Sequence, residues 1–175
     1  MSLTLSITES QALAALRQSY LLALFPGISV TRGQGNRVPL PPGPNWILIT
    51  PIVRARMSEP WDGISVTGGV TTASITQNTR LDVQVDCFGP AAEDNITQIV
   101  MTWRDPYARN ALAGTGVTPA YQSEPRNLTF VNDQSQYEFR WSIDLSMEVD
   151  PVATYLSQSA DTLGPVDLIS TQTLT

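Results

Sequence analysis

The sequence predicts an α+β domain: a mostly antiparallel four-stranded sheet with a long β-hairpin, packed against two helices on one face. Three observations carry this expectation. In residues 81–87, Leu81, Val83, Val85 and Cys87 alternate with Asp82, Gln84 and Asp86, the period of a half-buried strand. After Gly89-Pro90, residues Ala92, Ile96, Ile99, Val100 and Trp103 recur at helical spacing, so this strand feeds an amphipathic helix. Residues 137–149 then alternate again, with Tyr137, Phe139, Trp141, Ile143, Leu145, Met147 and Val149 facing one way and charged or hydroxyl side chains the other.

Taken in order, Thr8-Glu9-Ser10-Gln11 fits a capping box, in which the threonine hydroxyl and the glutamine amide satisfy each other's backbone N–H groups. A helix is expected over residues 9–24, with Leu13, Leu16, Tyr20 and Leu24 as its apolar stripe and Pro26-Gly27 as its end. Residues 27–45 are rich in glycine and proline and read as an extended loop. The β-branched run 46–57 reads as a strand, and Pro51 within it calls for an edge, a bulge or a bend. Residues 58–74 carry the turn signals Asp62-Gly63 and Gly68-Gly69 and form the overhanging tip of a hairpin whose arms are 46–57 and 75–88. The central helix carries Glu93 and Asp94 in its first turn, where the helix dipole favours them, and Pro106 limits it. Residues 105–121 read as irregular with one further helical turn near 107–113; 126–131 reads as a short strand, and 132–134 as a turn. Residues 1–151 are expected to form a single domain, and 152–175 a polar tail ordered by a partner.

Composition removes most enzyme chemistry. With no histidine there is no Ser-His-Asp or Cys-His catalysis and no imidazole-bound zinc. All ten basic residues are arginine, so Walker lysines and Schiff bases are also absent. The single cysteine, Cys87, falls on the apolar strand face and reads as a buried, inert thiol. Asp82, Asp86 and Asp144 lie on polar strand faces. Such carboxylates can bind a divalent cation or act as a glycosidase pair, but no second cluster converges on them, so a solvated or interfacial face is expected. No metal and no cofactor is called for.

A net charge of −6 argues against an outer surface that grips nucleic acid, though not against an acidic channel through which DNA slides. Only 15% of the residues are charged, and a surface of neutral polar groups suits packing against other proteins. No apolar run reaches the length of a membrane span, and the opening MSLTLSITES lacks the basic and apolar segments of a signal peptide. Arg54 and Arg56 lie two apart on one strand. They either form bidentate pairs with carboxylates of a neighbouring subunit or pair with Asp82 or Asp86 across the hairpin.

Several stretches together resemble phage neck and tail terminator proteins. They are Asp82-Val83-Gln84-Val85-Asp86, Gly89-Pro90, Trp103-Arg104-Asp105-Pro106-Tyr107, Ser123-Glu124-Pro125-Arg126, and the Gln136-Tyr137-Glu138 to Arg140-Trp141 entry into the long strand. The resemblance covers about residues 45 to 153 and weakly includes the N-terminal helix. It implies a structural virion protein without enzymatic activity, assembled in the bacterial cytoplasm. Such a subunit forms a ring, commonly a hexamer, at the head-proximal end of the tail. The ring caps the tail tube, offers a docking face to the head connector, and lets DNA pass through its bore without sequence readout. The alternatives are another neck or head-completion ring protein, or a non-catalytic assembly adaptor. Ring closure needs two different complementary patches. The expected subunit contacts are Arg54, Arg56, Trp61 and Asp62 with the 58–74 tip and the 152–175 tail, and Asp82 and Asp86 are expected to face the bore.

Overall fold

A computed structural model describes residues 3–33, 41, 43–131 and 135–157. The chain is α+β and mostly antiparallel, with two principal sheets where the sequence suggests one. The larger sheet is built from β2 (Ser29–Arg32), β3 (Trp46–Arg56), β6 (Thr79–Phe88), β11 (Arg140–Val149) and β7 (Val117–Gln122), in that spatial order, with the short β8 (Arg126–Asn127) also pairing with β11. The smaller sheet has the order β1 (Thr4–Leu5), β12 (Val152–Leu156), β5 (Val70–Thr76), β4 (Trp61–Thr67). A separate two-stranded ribbon pairs β9 (Phe130–Val131) with β10 (Tyr137–Glu138).

The expected hairpin is present: β3 and β6 pair antiparallel from Trp46↔Phe88 to Arg56↔Thr79. Its overhanging tip is itself a second hairpin. β4 and β5 are joined at Gly68-Gly69, both with positive φ, as a tight two-residue turn requires. The other turn signal, Asp62-Gly63, lies inside β4. The smaller sheet is completed by β12, where a loose tail is expected to begin, and by β1 from the other end of the chain. Residues 158–175 lie outside the described residues, as does the turn expected at 132–134.

Three further differences have local causes. β2 lies within the expected 27–45 loop and β7 within the expected irregular 105–121 stretch. Both are short flanking strands held by pairing to longer partners, with Ser29–Arg32 running parallel to Trp46–Ile49. The long C-terminal strand is broken at Phe139. Strand β6 ends at Phe88 opposite Arg140, so Tyr137 and Glu138 run out of partner and pair with β9 instead. Tyr137 and Phe139 are therefore exposed, against the expectation of burial.

The helical run at 9–24 is present, with its capping box: Thr8 N–H donates to Gln11 Oε1 at 2.8 Å, and Gln11 N–H to Thr8 Oγ1 at 3.3 Å. Helix α1 (Glu9–Ala15) passes into a π-helical stretch (Leu16–Leu21) and a final turn, α2 (Leu22–Leu24). The wider turn shifts the stripe by one residue, so Leu21 is buried and Leu24 only half-buried.

Helix α3 (Ala92–Trp103) and α4 (Pro106–Ala111, capped by Asp105) join this run over one face of the larger sheet. The core lies between them. Leu81, Val83, Val85, Cys87, Ile143, Leu145 and Met147 of the sheet meet Leu16, Tyr20, Leu21, Ile96, Ile99 and Trp103 of the helices. Two large polar side chains of the core are partnered, whereas the buried Asn95 Nδ2 and Ser142 Oγ have no hydrogen-bond partner among the described residues. Tyr20 Oη and Thr102 Oγ1 share a hydrogen bond at 2.7 Å, and Trp103 Nε1–H donates to the Tyr121 carbonyl at 3.0 Å. Burial pushes the Tyr20 phenol well above its ordinary pKa. The strand-to-helix turn depends on Gly89. Its φ is +96°, and a Cβ there would collide with the Pro44 carbonyl oxygen.

Candidate assembly surfaces

The face of the larger sheet turned away from the helices carries the three aspartates that raised the question of chemistry. Each has its own arginine. Arg140 holds Asp86 at 3.1 Å, Arg126 donates to Asp144 at 2.8 Å, and Arg80 Nε lies 3.1 Å from Asp82. Gln84 Nε2 adds hydrogen bonds to both Asp86 oxygens at 2.9 and 3.0 Å, and Ser146 Oγ donates to Asp82 at 2.6 Å. The row ends in the Trp46–Phe88 stack, ring centroids 3.8 Å apart, with the Arg140 guanidinium 5.4 Å from the Phe88 centroid. Charge compensation within the sheet is what this arrangement does. Shared neither as a carboxylate dyad nor as a ligand set, the aspartates are tied off one by one. Among the described residues no three of His, Cys, Asp and Glu come together to hold a metal ion.

This placement bears on the residues singled out in the sequence. Asp86 is 1% exposed beneath Arg140, and Asp82 is mostly covered. Arg54 and Arg56 pair with neither. A β-bulge between Pro51 and Val53 inserts one residue into β3, and beyond it Arg54 stands opposite Leu81 and Arg56 opposite Thr79. A one-residue slip exchanges the two faces of a strand. The arginines thus point to the helix side of the sheet, away from the aspartates, and both are exposed. Arg56 reaches Glu59 at 3.2 Å, a solvent-exposed pair, and Arg54 has no ion pair among the described residues. Trp61 is 54% exposed at the start of β4, next to the exposed Asp62. Cys87 is fully buried. Its thiol is pushed up to about 12, first by desolvation and then by the neighbouring Asp86 carboxylate.

What the sequence reading did not single out is the apolar exposure of the smaller sheet. The register puts Ile64, Ala73 and Tyr155 on one face, with Leu5 and Ala153 following on the same side. The opposite face presents Ser65, Thr72, Ser74, Thr76 and Thr154 together with the exposed Trp61, Val70 and Leu156. Ile64 and Val66, at 76% and 65% exposed, stand on the outermost strand. The signal for this was present as the alternation Asp62, Ile64, Val66. It could not be read as exposed until β4 was known to be an edge. A second group of exposed apolar residues, Phe130, Val131, Tyr137 and Phe139, sits on and beside the β9–β10 ribbon.

Among the described residues no helix is long and apolar enough to cross a membrane. No curated protein matches the chain in sequence. Among solved structures, the chain is similar to the sheath/tube terminator of an extracellular contractile injection system (PVC) in its extended state, seen by cryo-electron microscopy. The two share 15% identity and a TM-score of 0.43, over 97% of this chain and 64% of that one. This chain therefore spans about 64% of the length of the structure it matches. The sequence profile of a single family runs through the helices and both sheets, from residue 11 to residue 174. The chain belongs to the phage neck terminator protein family.

Proposed function

We propose that this protein is a structural subunit of a closed ring, hexameric in its simplest form, at the head-proximal end of a phage tail. In this role the ring caps the tail tube and presents a docking face to the head connector, and DNA crosses its bore without sequence readout. The observation that carries the reading is family membership over nearly the whole chain. The surface chemistry supports it. A net charge of −6 disfavours tight DNA binding, so a channel built from such subunits lets DNA slide. A bore-facing role for Asp82 and Asp86 would turn arginine-paired carboxylates, not free charge, toward that DNA. The exposed Arg54, Arg56, Trp61 and Asp62 supply one side of the subunit contact, since each is accessible and none is needed to complete the core.

The test is the mass of the purified protein by light scattering over a wide concentration range, with negative-stain images of the same fractions and of mixtures with tail tubes. Closed rings, free or seated on tube ends, are expected. A protein that stays monomeric and never decorates a tube end would make it an assembly adaptor.

A further inference from the structure

The outer side of β4 has no partner among the described residues, so alternate N–H and C=O groups of Trp61–Thr67 point outward unpaired. Native edges usually refuse additional strands by means of proline, bulges or several charges. This one has no proline, one charge (Asp62) and an unbroken register with β5, and it displays Ile64 and Val66. It is shaped to receive a strand.

The same chain holds a segment suited to that edge. Strand β12 ends at Leu156 opposite Thr72, and Ser157 N–H donates to the Thr71 carbonyl at 3.0 Å, so the chain leaves the smaller sheet beside the Gly68-Gly69 turn. Beyond Gly164-Pro165, residues 166–175 read VDLISTQTLT. They contain no glycine, proline or basic residue, and half are β-branched. Val166 and Leu168 fall on one alternation. The family profile extends to residue 174, so this segment lies within the sequence that the family shares. Asp167 is the one charged residue of the segment and makes it acidic, whereas exposed Arg54 and Arg56 end β3 just before β4 begins.

We propose that residues 166–175 of one subunit add as a strand to the open β4 edge of the next, with Val166 and Leu168 covering Ile64 and Val66. The inference rests on the ring reading and gives it a mechanism. Backbone pairing supplies affinity and the alternate side chains supply register. Donor and acceptor are different surfaces of the same chain, which is the heterologous contact that closes rings. Residues 158–165, extended, span up to about 26 Å, several times the ~4.8 Å between strands, so the segment can leave its own sheet.

Two variants test this: a chain ending at Ser157, which lacks the donor, and the full chain with Ile64→Asp and Val66→Asp, which blocks the acceptor. Both should keep the far-UV spectrum of the parent and lose the ring. Mixed one to one, they should form a dimer with one copy of each, because each supplies what the other lacks. A ring that survives truncation would overturn the proposal. So would loss of the ring in both variants without a mixed dimer, since the segment would then act within its own subunit. A parent that forms no ring with or without tail tubes would instead remove the ring reading itself, and the strand exchange with it.

Discussion

The larger sheet hides its apolar face under helices and pairs the acids of its other face with arginines. The smaller sheet leaves isoleucine, valine and leucine side chains in the open beside an unpaired edge. Both have strands of alternating pattern, and both mix β-branched and polar residues. The difference lies in what covers them. Burying a Leu- or Ile-sized side chain contributes roughly 1.5–3 kcal/mol, so the larger sheet and its helices hold the stability of the subunit. The smaller sheet forgoes that contribution as long as the subunit is alone. Surface of this kind is retained where a later contact covers it.

Substitutions should separate the two regions by size of effect. Trp103→Ala removes the largest fully buried side chain, its edge-on contact with Tyr20 and its hydrogen bond to Tyr121. It should cost about 3–5 kcal/mol and leave much of the protein unfolded at 37 °C, as followed by urea denaturation. Gly89→Ala meets both a left-handed φ and the Pro44 carbonyl. It should cost about 1–3 kcal/mol in the same assay, and a wild-type midpoint would mean that the 43–45 loop yields easily.

Asp86→Ala leaves the Arg140 guanidinium without its buried acceptor. A loss of about 1–3 kcal/mol is expected, and restoration by a compensating Arg140→Met would show that the pair serves charge balance and not assembly. Thr8→Ala deletes the capping box and should cost about 1 kcal/mol. Ile64→Asp with Val66→Asp should change monomer stability least, within about 0.5 kcal/mol, because both side chains are already in water. Destabilisation comparable to that of the core variants would mean that the smaller sheet is packed more tightly than its exposure indicates.

Cys87 offers a pH readout of the core. Its folded value, about 12, lies above the ordinary thiol value of 9.0, so folding favours the neutral form. That contribution is complete below pH 9 and is lost as pH rises toward 12. In the native protein at pH 8 the thiol should react with a maleimide only at the rate of core opening. Labelling as fast as that of a free thiol would place it outside the core.

Much of this fold could be read from residue pattern. The capping box at Thr8, the central strand and helix, the hairpin arms and the burial of Cys87 all follow from local spacing, because a period of 2 or 3.6 records which side of an element meets the core. The two sheet edges beside β3 and β11 were not legible, since short strands such as Ser29–Arg32 and Val117–Gln122 exist only through partners distant in sequence. Nor was the fate of the arginines. Pro51 announced an irregularity, but only the register across to β6 shows that one inserted residue carries Arg54 and Arg56 to the face opposite Asp82 and Asp86. The sequence by itself determined the α+β class, the core and the exclusion of histidine and lysine chemistry, because these depend on composition and local period. Tertiary structure decided which strands became edges, which charges met, and that the hairpin tip joined both ends of the described chain in a second sheet. Those outcomes depend on long-range pairing, whose entropy cost and geometry no local window contains.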